Sequence, residues 1–154
     1  PRLDKASIVT EPLEAPGYTC GSLGEGRMSV MVEVSWGELI DKHTILEIKS
    51  ERMSDEAKVR NVRIEMEALA ASRAQARRTP GVDALEAQLK AINEELWVIE
   101  DRIRDCERAK DFGPTFIELA RAVYFTNDRR AAVKRQINDL LGSGIVEEKS
   151  YQPY

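Results

Sequence analysis

The stretch Leu85-Glu86-Ala87-Gln88-Leu89-Lys90-Ala91-Ile92-Asn93-Glu94-Glu95-Leu96-Trp97-Val98-Ile99-Glu100-Asp101-Arg102-Ile103-Arg104-Asp105-Cys106 sets Leu85, Leu89, Ile92, Leu96, Ile99, Ile103 and Cys106 at alternating spacings of four and three. Such spacing is an apolar seam on one helix face over about three heptads, and a helix must bury it against another. The preceding segment offers a partner. Val59, Val62, Met66, Leu69 and Ala76 keep the same rhythm, with Arg73 interrupting it, and Thr79-Pro80-Gly81 separates the two segments as a turn. The pattern predicts a long antiparallel, coiled-coil-like helical hairpin.

Outward from the hairpin, Val30, Val32 and Val34 alternate with Met31 and Glu33, the signature of a short strand. Ser35-Trp36-Gly37-Glu38 has capping-box spacing and starts helix one, expected to run to about Met53. Ser54-Asp55-Glu56 caps helix two, from Asp55 to about Arg78, and helix three follows from Val82 to Ala109. Pro114 suits the first position of helix four, which ends at Leu141 before Gly142-Ser143-Gly144. Ile145-Val146 in the tail can form a short β pairing with residues 30–34. Residues 1–27 are rich in proline and glycine without helical periodicity, and read as a disordered leader ahead of a single helical domain at 28–154. Because the sequence opens on Pro1 and Met28 or Met31 stands just ahead of the first patterned segment, the leader is read as either an added segment or an extension from an upstream translation start.

Composition agrees with an all-α class: of 154 residues, 42% are hydrophobic, 32% charged and only 6% aromatic, which favours helices with solvated outer faces over a β-sandwich. The net charge of -4, from 27 acids mixed among 23 bases, leaves no broad positive field for a phosphate backbone, so nucleic acid is not expected as a partner. Arg77-Arg78 and the Arg129-Arg130 to Lys134-Arg135 group are local exceptions of the kind that usually forms a solvated helix face. No window approaches the roughly 18 apolar residues of a membrane helix, and no signal-peptide pattern opens the chain. With Cys106 on the seam and Cys20 in the leader, nothing suggests a disulfide framework, and a cytoplasmic, reduced protein is expected.

Polar residues stand where apolar ones belong. Helix one is apolar on two faces, through Trp36, Leu39, Ile40, His43, Leu46 and Met53 on one and Ile45 and Ile48 on the other, so it should be sandwiched; Glu47 falls inside the first stripe. His43, the single histidine, cannot assemble a zinc site, and reads as a core histidine unless Glu47 one turn away orients it for proton transfer. Helix three carries Asn93, Trp97, Glu100 and Arg104 at i, i+4, i+7 and i+11, either an ordinary Glu–Arg helix pair beside a covering indole or one wall of a polar pocket. Helix four carries Asn127, Arg130 and Lys134 in the middle of a stripe with apolar ends, beside a better core stripe through Leu119, Thr126, Val133 and Leu140. If the polar three face inward, Asp41, Glu47 or Glu100 must supply counter-charge. Acid pairs Glu47/Glu51 and Asp101/Asp105 could hold a cation only with waters, and no metal or cofactor is expected.

The motifs Val34-Ser35-Trp36-Gly37-Glu38-Leu39-Ile40-Asp41-Lys42, Ile45-Leu46-Glu47-Ile48-Lys49, Asn93-Glu94-Glu95-Leu96-Trp97-Val98-Ile99-Glu100-Asp101-Arg102-Ile103-Arg104, Phe116-Ile117-Glu118-Leu119-Ala120, Thr126-Asn127-Asp128-Arg129-Arg130-Ala131 and Val146-Glu147-Glu148-Lys149-Ser150-Tyr151 together resemble an uncharacterised family of small bacterial helical proteins, over about residues 31–151. His43 departs from the pattern, where a β-branched apolar residue is expected, which argues against a catalytic role for it. The resemblance brings no established activity; family members occurring with glycosyltransferase or helical-repeat modules imply an accessory role in bacterial surface-polysaccharide assembly. The recurring residues coincide with Asp41, Glu47, Asn93, Glu100, Asn127, Asp128, Arg130 and Lys134. Leu39-Ile40-Asp41 with Arg52 also resembles the opening helix of the all-helical chorismate mutases, whose site is built from Arg and Lys on three helices; Thr44 stands where an acid is expected there.

The leading expectation is a helical interaction or scaffold protein, a homodimer engaging other proteins through its hairpin, with neither nucleic acid nor membrane as partner. The competing one is a small all-α enzyme or binding protein for an anionic metabolite such as a nucleotide, a nucleotide sugar or a chorismate-like acid. Its candidate site is Asp41, Glu47, Asn93, Trp97, Glu100, Arg104, Asn127, Asp128, Arg130 and Lys134.

Overall fold

A computed structural model of the chain describes residues 30–76, 78–150 and 152; the expected leader at 1–27, with Cys20 and Met28, lies outside the described residues. Residues 33–154 form one unit, in which four helices follow one another: α1 (Trp36–Arg52), α2 (Glu56–Ala76), α3 (Val82–Ala109) and α4 (Pro114–Leu141). Their ends follow from local chemistry. Ser35 accepts the amide of Glu38 at 3.2 Å, opening α1 as a capping Ser does, while the Glu38 carboxylate binds Lys134. Asp55 Oδ1 accepts the amides of Ala57 and Lys58 at 2.9 and 3.1 Å and so starts α2. Pro114 opens α4, and Gly142, at φ +62°, ends it in the left-handed conformation that glycine adopts without penalty.

The core explains which helices pair. Leu89, Ile92 and Leu96 of α3 are buried with Ile40 of α1, Val133 and Ile137 of α4, and Ala76 and Val82 at the α2–α3 turn. The seam of α3 is therefore closed by α4 and α1, and the hairpin of the fold is α3 with α4. Its antiparallel register is fixed where Glu95 accepts from Thr126 at 3.2 Å and from Arg129 at 2.9 and 3.1 Å.

This corrects the expected coiled-coil hairpin of α2 with α3. Those helices meet near their connecting turn, but α2 lies mainly along α1, and only Val62, Arg73 and Ala76 of α2 are buried. Arg73 marks where α2 meets α3. A guanidinium in the seam needs a carboxylate, and Arg73 Nε finds Glu86 Oε1 at 2.7 Å close to the turn. Helix α4, which matches α3 in length, supplies the buried Leu119, Val133 and Ile137.

The short β pairing of residues 30–34 with the C-terminal tail is also corrected, since no strand occurs among the described residues and Ile145 and Val146 are exposed. Charged contacts hold the tail on α4 instead: Lys134 binds Glu147, and Arg135 reaches Glu148 at 3.1 Å. The α4 core stripe holds at Leu119, Thr126 and Val133 but shifts to Ile137, leaving Leu140 exposed. A straight helix drifts by about 20° per heptad, so a seven-residue stripe walks off the core.

Helix α1 touches all three others, as its two apolar faces require. Its first turn is capped from α4: the Gly37 amide donates to Asn138 Oδ1 at 2.6 Å and the Trp36 amide to Ser143 Oγ at 3.3 Å. A Cβ on Gly37 would lie 2.7 Å from the Lys134 carbonyl oxygen and 3.0 Å from Asn138 Oδ1. In an isolated helix Gly37→Ala would stabilise by about 1 kcal/mol; here the clash reverses the sign, and a loss of about 1–3 kcal/mol is expected from overpacking. Urea denaturation reads the outcome directly, and a raised midpoint would show that α1 and α4 are not held this close.

Candidate functional site

Asp41 lies on the face of α1 turned into the bundle and is 3% exposed. A carboxylate there must be fully bonded to stay ionised. Arg130 of α4 meets it bidentately, Nε to Oδ1 at 2.8 Å and Nη2 to Oδ2, and Asn93 of α3 donates from Nδ2 to Oδ1 at 2.9 Å. Asn93 also donates to Thr44 Oγ1 at 2.9 Å, and the Thr44 hydroxyl donates to the Asp41 carbonyl at 2.8 Å. Arg130 Nη1 reaches Asn127 Oδ1 at 3.4 Å, and Asn127 Nδ2 is tied to the Val123 carbonyl at 3.1 Å. The hydrogen bond that Arg130 donates to Asp41 raises the pKa of Arg130 against the opposing effect of burial, so the guanidinium is a fixed charge.

Above this clamp lies a cleft of about 350 Å³ between α1, α3 and α4. Asn93, Trp97, Glu100, Arg104, Asn127 and Arg130 all line it, so the polar stripes of α3 and α4 face one space, with Asp41 directly behind. Ile45, Ile48 and Leu96 add apolar walls and Asp101 a carboxylate at the rim. Glu100 accepts Arg104 Nη1 at 2.8 Å, the ordinary i, i+4 pair, on the exposed edge of the cleft.

Three candidates sit elsewhere. Glu47 is 3.6 Å from His43 Nδ1 and does not line the cleft. Asp128 and Lys134 border a second hollow of about 360 Å³ with Arg135, Glu147 and Lys149 of the tail. Lys134 is buried and binds Glu38 and, at 2.7 Å, Glu147. Burial pulls its pKa down, but the hydrogen bonds to Glu147 and Glu38 outweigh that and leave it raised; the Glu147 carboxyl is lowered by the same bond to Lys134. Arg52, part of the chorismate-mutase-like pattern, is exposed in the last turn of α1 and lines no part of the cleft.

A further polar group escaped the sequence reading. His43 is buried with its Nδ1 3.5 Å from Glu86 Oε1, and Glu86 in turn pairs with Arg73, so α1, α2 and α3 share a polar contact. The available signal was Arg73 itself, because a base on a seam position requires an acid within reach. One member of each acid pair considered for a cation is engaged by a base: Glu51 binds Lys90 at 2.6 Å and Asp105 binds Arg108. No metal-holding group of three His, Cys, Asp or Glu occurs among the described residues. No described helix is long and apolar enough to cross a membrane.

The model of the "Family of unknown function (DUF6165)" matches residues 30–154. The chain belongs to that family. The DUF6165 match covers all four helices and every residue of the clamp and the cleft, and agrees with the family resemblance seen in the motifs. Neither a curated protein nor a solved structure matches the chain.

Replacing Asp41 by Ala would leave Arg130 without its counter-ion and Asn93 with one acceptor fewer. The expected cost is about 2 kcal/mol, below the usual range for a broken buried pair because Arg130 keeps a path to water. Asp41→Asn, which keeps an acceptor, should cost less; equal denaturation midpoints for both variants and the parent would show that the clamp is not stabilising.

The tail should respond to acid. Glu147 titrates below 4.5 in the folded chain, so its contact with Lys134 is complete above that pH and is lost as pH falls through the lower folded value. Lys134 is raised above 10.5, so that side of the contact fails only in strong base. NMR resonances of the residues around Glu147 should hold steady from neutral pH and move toward random-coil positions only in acid below the ordinary glutamate range; in Glu147→Gln this step should be much smaller at those residues.

Proposed function

We propose that this chain is a non-enzymatic helical interaction module whose working site is the α1–α3–α4 cleft, where it binds a small molecule. The observation that carries the reading is the convergence of Asn93, Trp97, Glu100, Arg104, Asn127 and Arg130 on one space. Solvated helix faces would scatter these groups. A volume of about 350 Å³ falls in the range of ligand pockets, roughly 300–1,000 Å³, and its mixture of apolar walls with a few placed polar groups is the composition such pockets have. Binding rather than catalysis is favoured because the described lining offers no imidazole, thiol or hydroxyl, and its guanidinium groups are held by carboxylates. The accessory role in bacterial surface-polysaccharide assembly rests on the sequence resemblance alone. A homodimer draws support from exposed apolar side chains such as Phe112 and Ile117.

A thermal-shift screen of a chemically diverse library against the parent and Trp97→Ala tests the reading. A specific ligand at 100 Kd adds about 2.7 kcal/mol of stability, and shifts present in the parent should disappear in Trp97→Ala when each protein is referred to its own unliganded midpoint. Equal shifts in both proteins, or none in either, would reject the cleft as the site.

A further inference from the structure

The charges around the cleft are unequally committed. Arg130 spends Nε and Nη2 on Asp41 and Nη1 on Asn127, while Arg104 gives Nη1 to both the carboxylate and the carbonyl of Glu100. An anion entering the cleft would have to take Arg130 from a carboxylate that is almost wholly buried, at the cost of an uncompensated charge. Asp101 stands in the opposite position. It is exposed, it borders the cleft, and it forms no ion pair among the described residues. Glu100 and Asp101 balance Arg104 and Arg130 in number along the lining, and because Asp41 behind the cleft already neutralises Arg130, the charge left without a partner is the Asp101 carboxylate.

The walls set the rest of the requirement. Ile45, Ile48 and Leu96 give the entering molecule hydrocarbon to lie against, and Trp97 gives it an indole, the aromatic group that attracts cations most strongly. A metal ion would gain nothing from such walls. An anion would meet Arg104 already beside Glu100 and Arg130 already held by Asp41.

Resting on the cleft reading above, we propose that the cleft takes an organic ammonium compound, an amine or quaternary ammonium ion whose hydrocarbon part packs on Ile45, Ile48 and Leu96 beside Trp97 and whose cationic head pairs with Asp101. Glu100, with one oxygen engaged by Arg104, adds to the negative rim. It differs from the anionic metabolite expected from the residue types alone, because Arg130 is held by Asp41 and Arg104 lies beside Glu100.

The full chain, labelled with ¹⁵N at indole, is titrated at low salt with four probes: phenethylamine hydrochloride, choline chloride, glucose and inorganic phosphate. The Trp97 indole resonance is assigned by its loss in Trp97→Phe. The two cations should move that resonance and leave Trp36 in place, and added salt should weaken them. Asp101→Asn should weaken phenethylamine binding about fivefold, the equivalent of roughly 1 kcal/mol for a partly exposed cation contact. Asp105→Asn, one turn away, paired with Arg108 and outside the cleft, should leave it unchanged. Phosphate or glucose moving Trp97 while the cations do not would overturn the ammonium assignment and leave the cleft standing as a site. Equal weakening by Asp101→Asn and Asp105→Asn would reduce the effect to general surface charge and overturn it as well. Silence from all four probes overturns the assignment too, while the library comparison with Trp97→Ala judges the cleft independently.

Discussion

The arrangement of the helices depends on one buried carboxylate. Asp41 joins α1 to α4 through Arg130 and to α3 through Asn93, at a carboxylate almost wholly withdrawn from solvent. Helix α1 has apolar side chains on two faces, and apolar packing alone would tolerate more than one rotation of such a helix in the groove between α3 and α4. The clamp admits only the rotation that brings Asp41 to both partners. A buried ion pair adds little net stability over apolar packing of the same volume, but the penalty for misplacing it is large, and that asymmetry can select one arrangement. At the start of the same helix, Gly37 lets the backbones of α1 and α4 approach closely enough for Asn138 to cap α1.

Local signals made the helices legible in the sequence. Ser35, Asp55, Pro114 and Gly142 act through bonds or backbone angles within a few residues, so their effects do not depend on the fold, and the observed ends agree with those expected within a few residues. Pairing was less legible because it is a competition. The seam of α3 specifies that some helix covers it, and nothing in its spacing distinguishes α2 from α4. The buried side chains of α4 and α1 cover that seam, while α2 is held to α3 near the turn by Arg73 and Glu86, and that outcome is visible only once the helices are placed.

The candidate site shows the same division. The stripe Asn93, Trp97, Glu100, Arg104 was readable because one helix fixes its geometry, and Asn127 with Arg130 for the same reason on α4. Which acid would neutralise Arg130 was not readable among Asp41, Glu47 and Glu100; burial selects Asp41, while Glu47 turns to His43 and Glu100 to Arg104. Lys134 was grouped with the site by its spacing, yet its partners are Glu38 and Glu147. Glu147 lies in a tail without periodicity, so no pattern could announce it.

The cleft itself follows from unequal helix lengths. Helices α3 and α4 have 28 residues each and α1 has 17, which at a rise of 1.5 Å per residue is about 42 Å against about 26 Å. A short helix clamped at Asp41 cannot cover a long pair from end to end. Where α1 leaves the pair, at Ile45 and Ile48, the inner faces of α3 and α4 open to solvent, and Trp97 and Asp101 stand at that step. Filling the step with protein would require a longer α1 or a fifth helix. In the described chain it is bordered by an indole and an uncommitted carboxylate, groups whose apolar and electrostatic demands a single small cation can satisfy together.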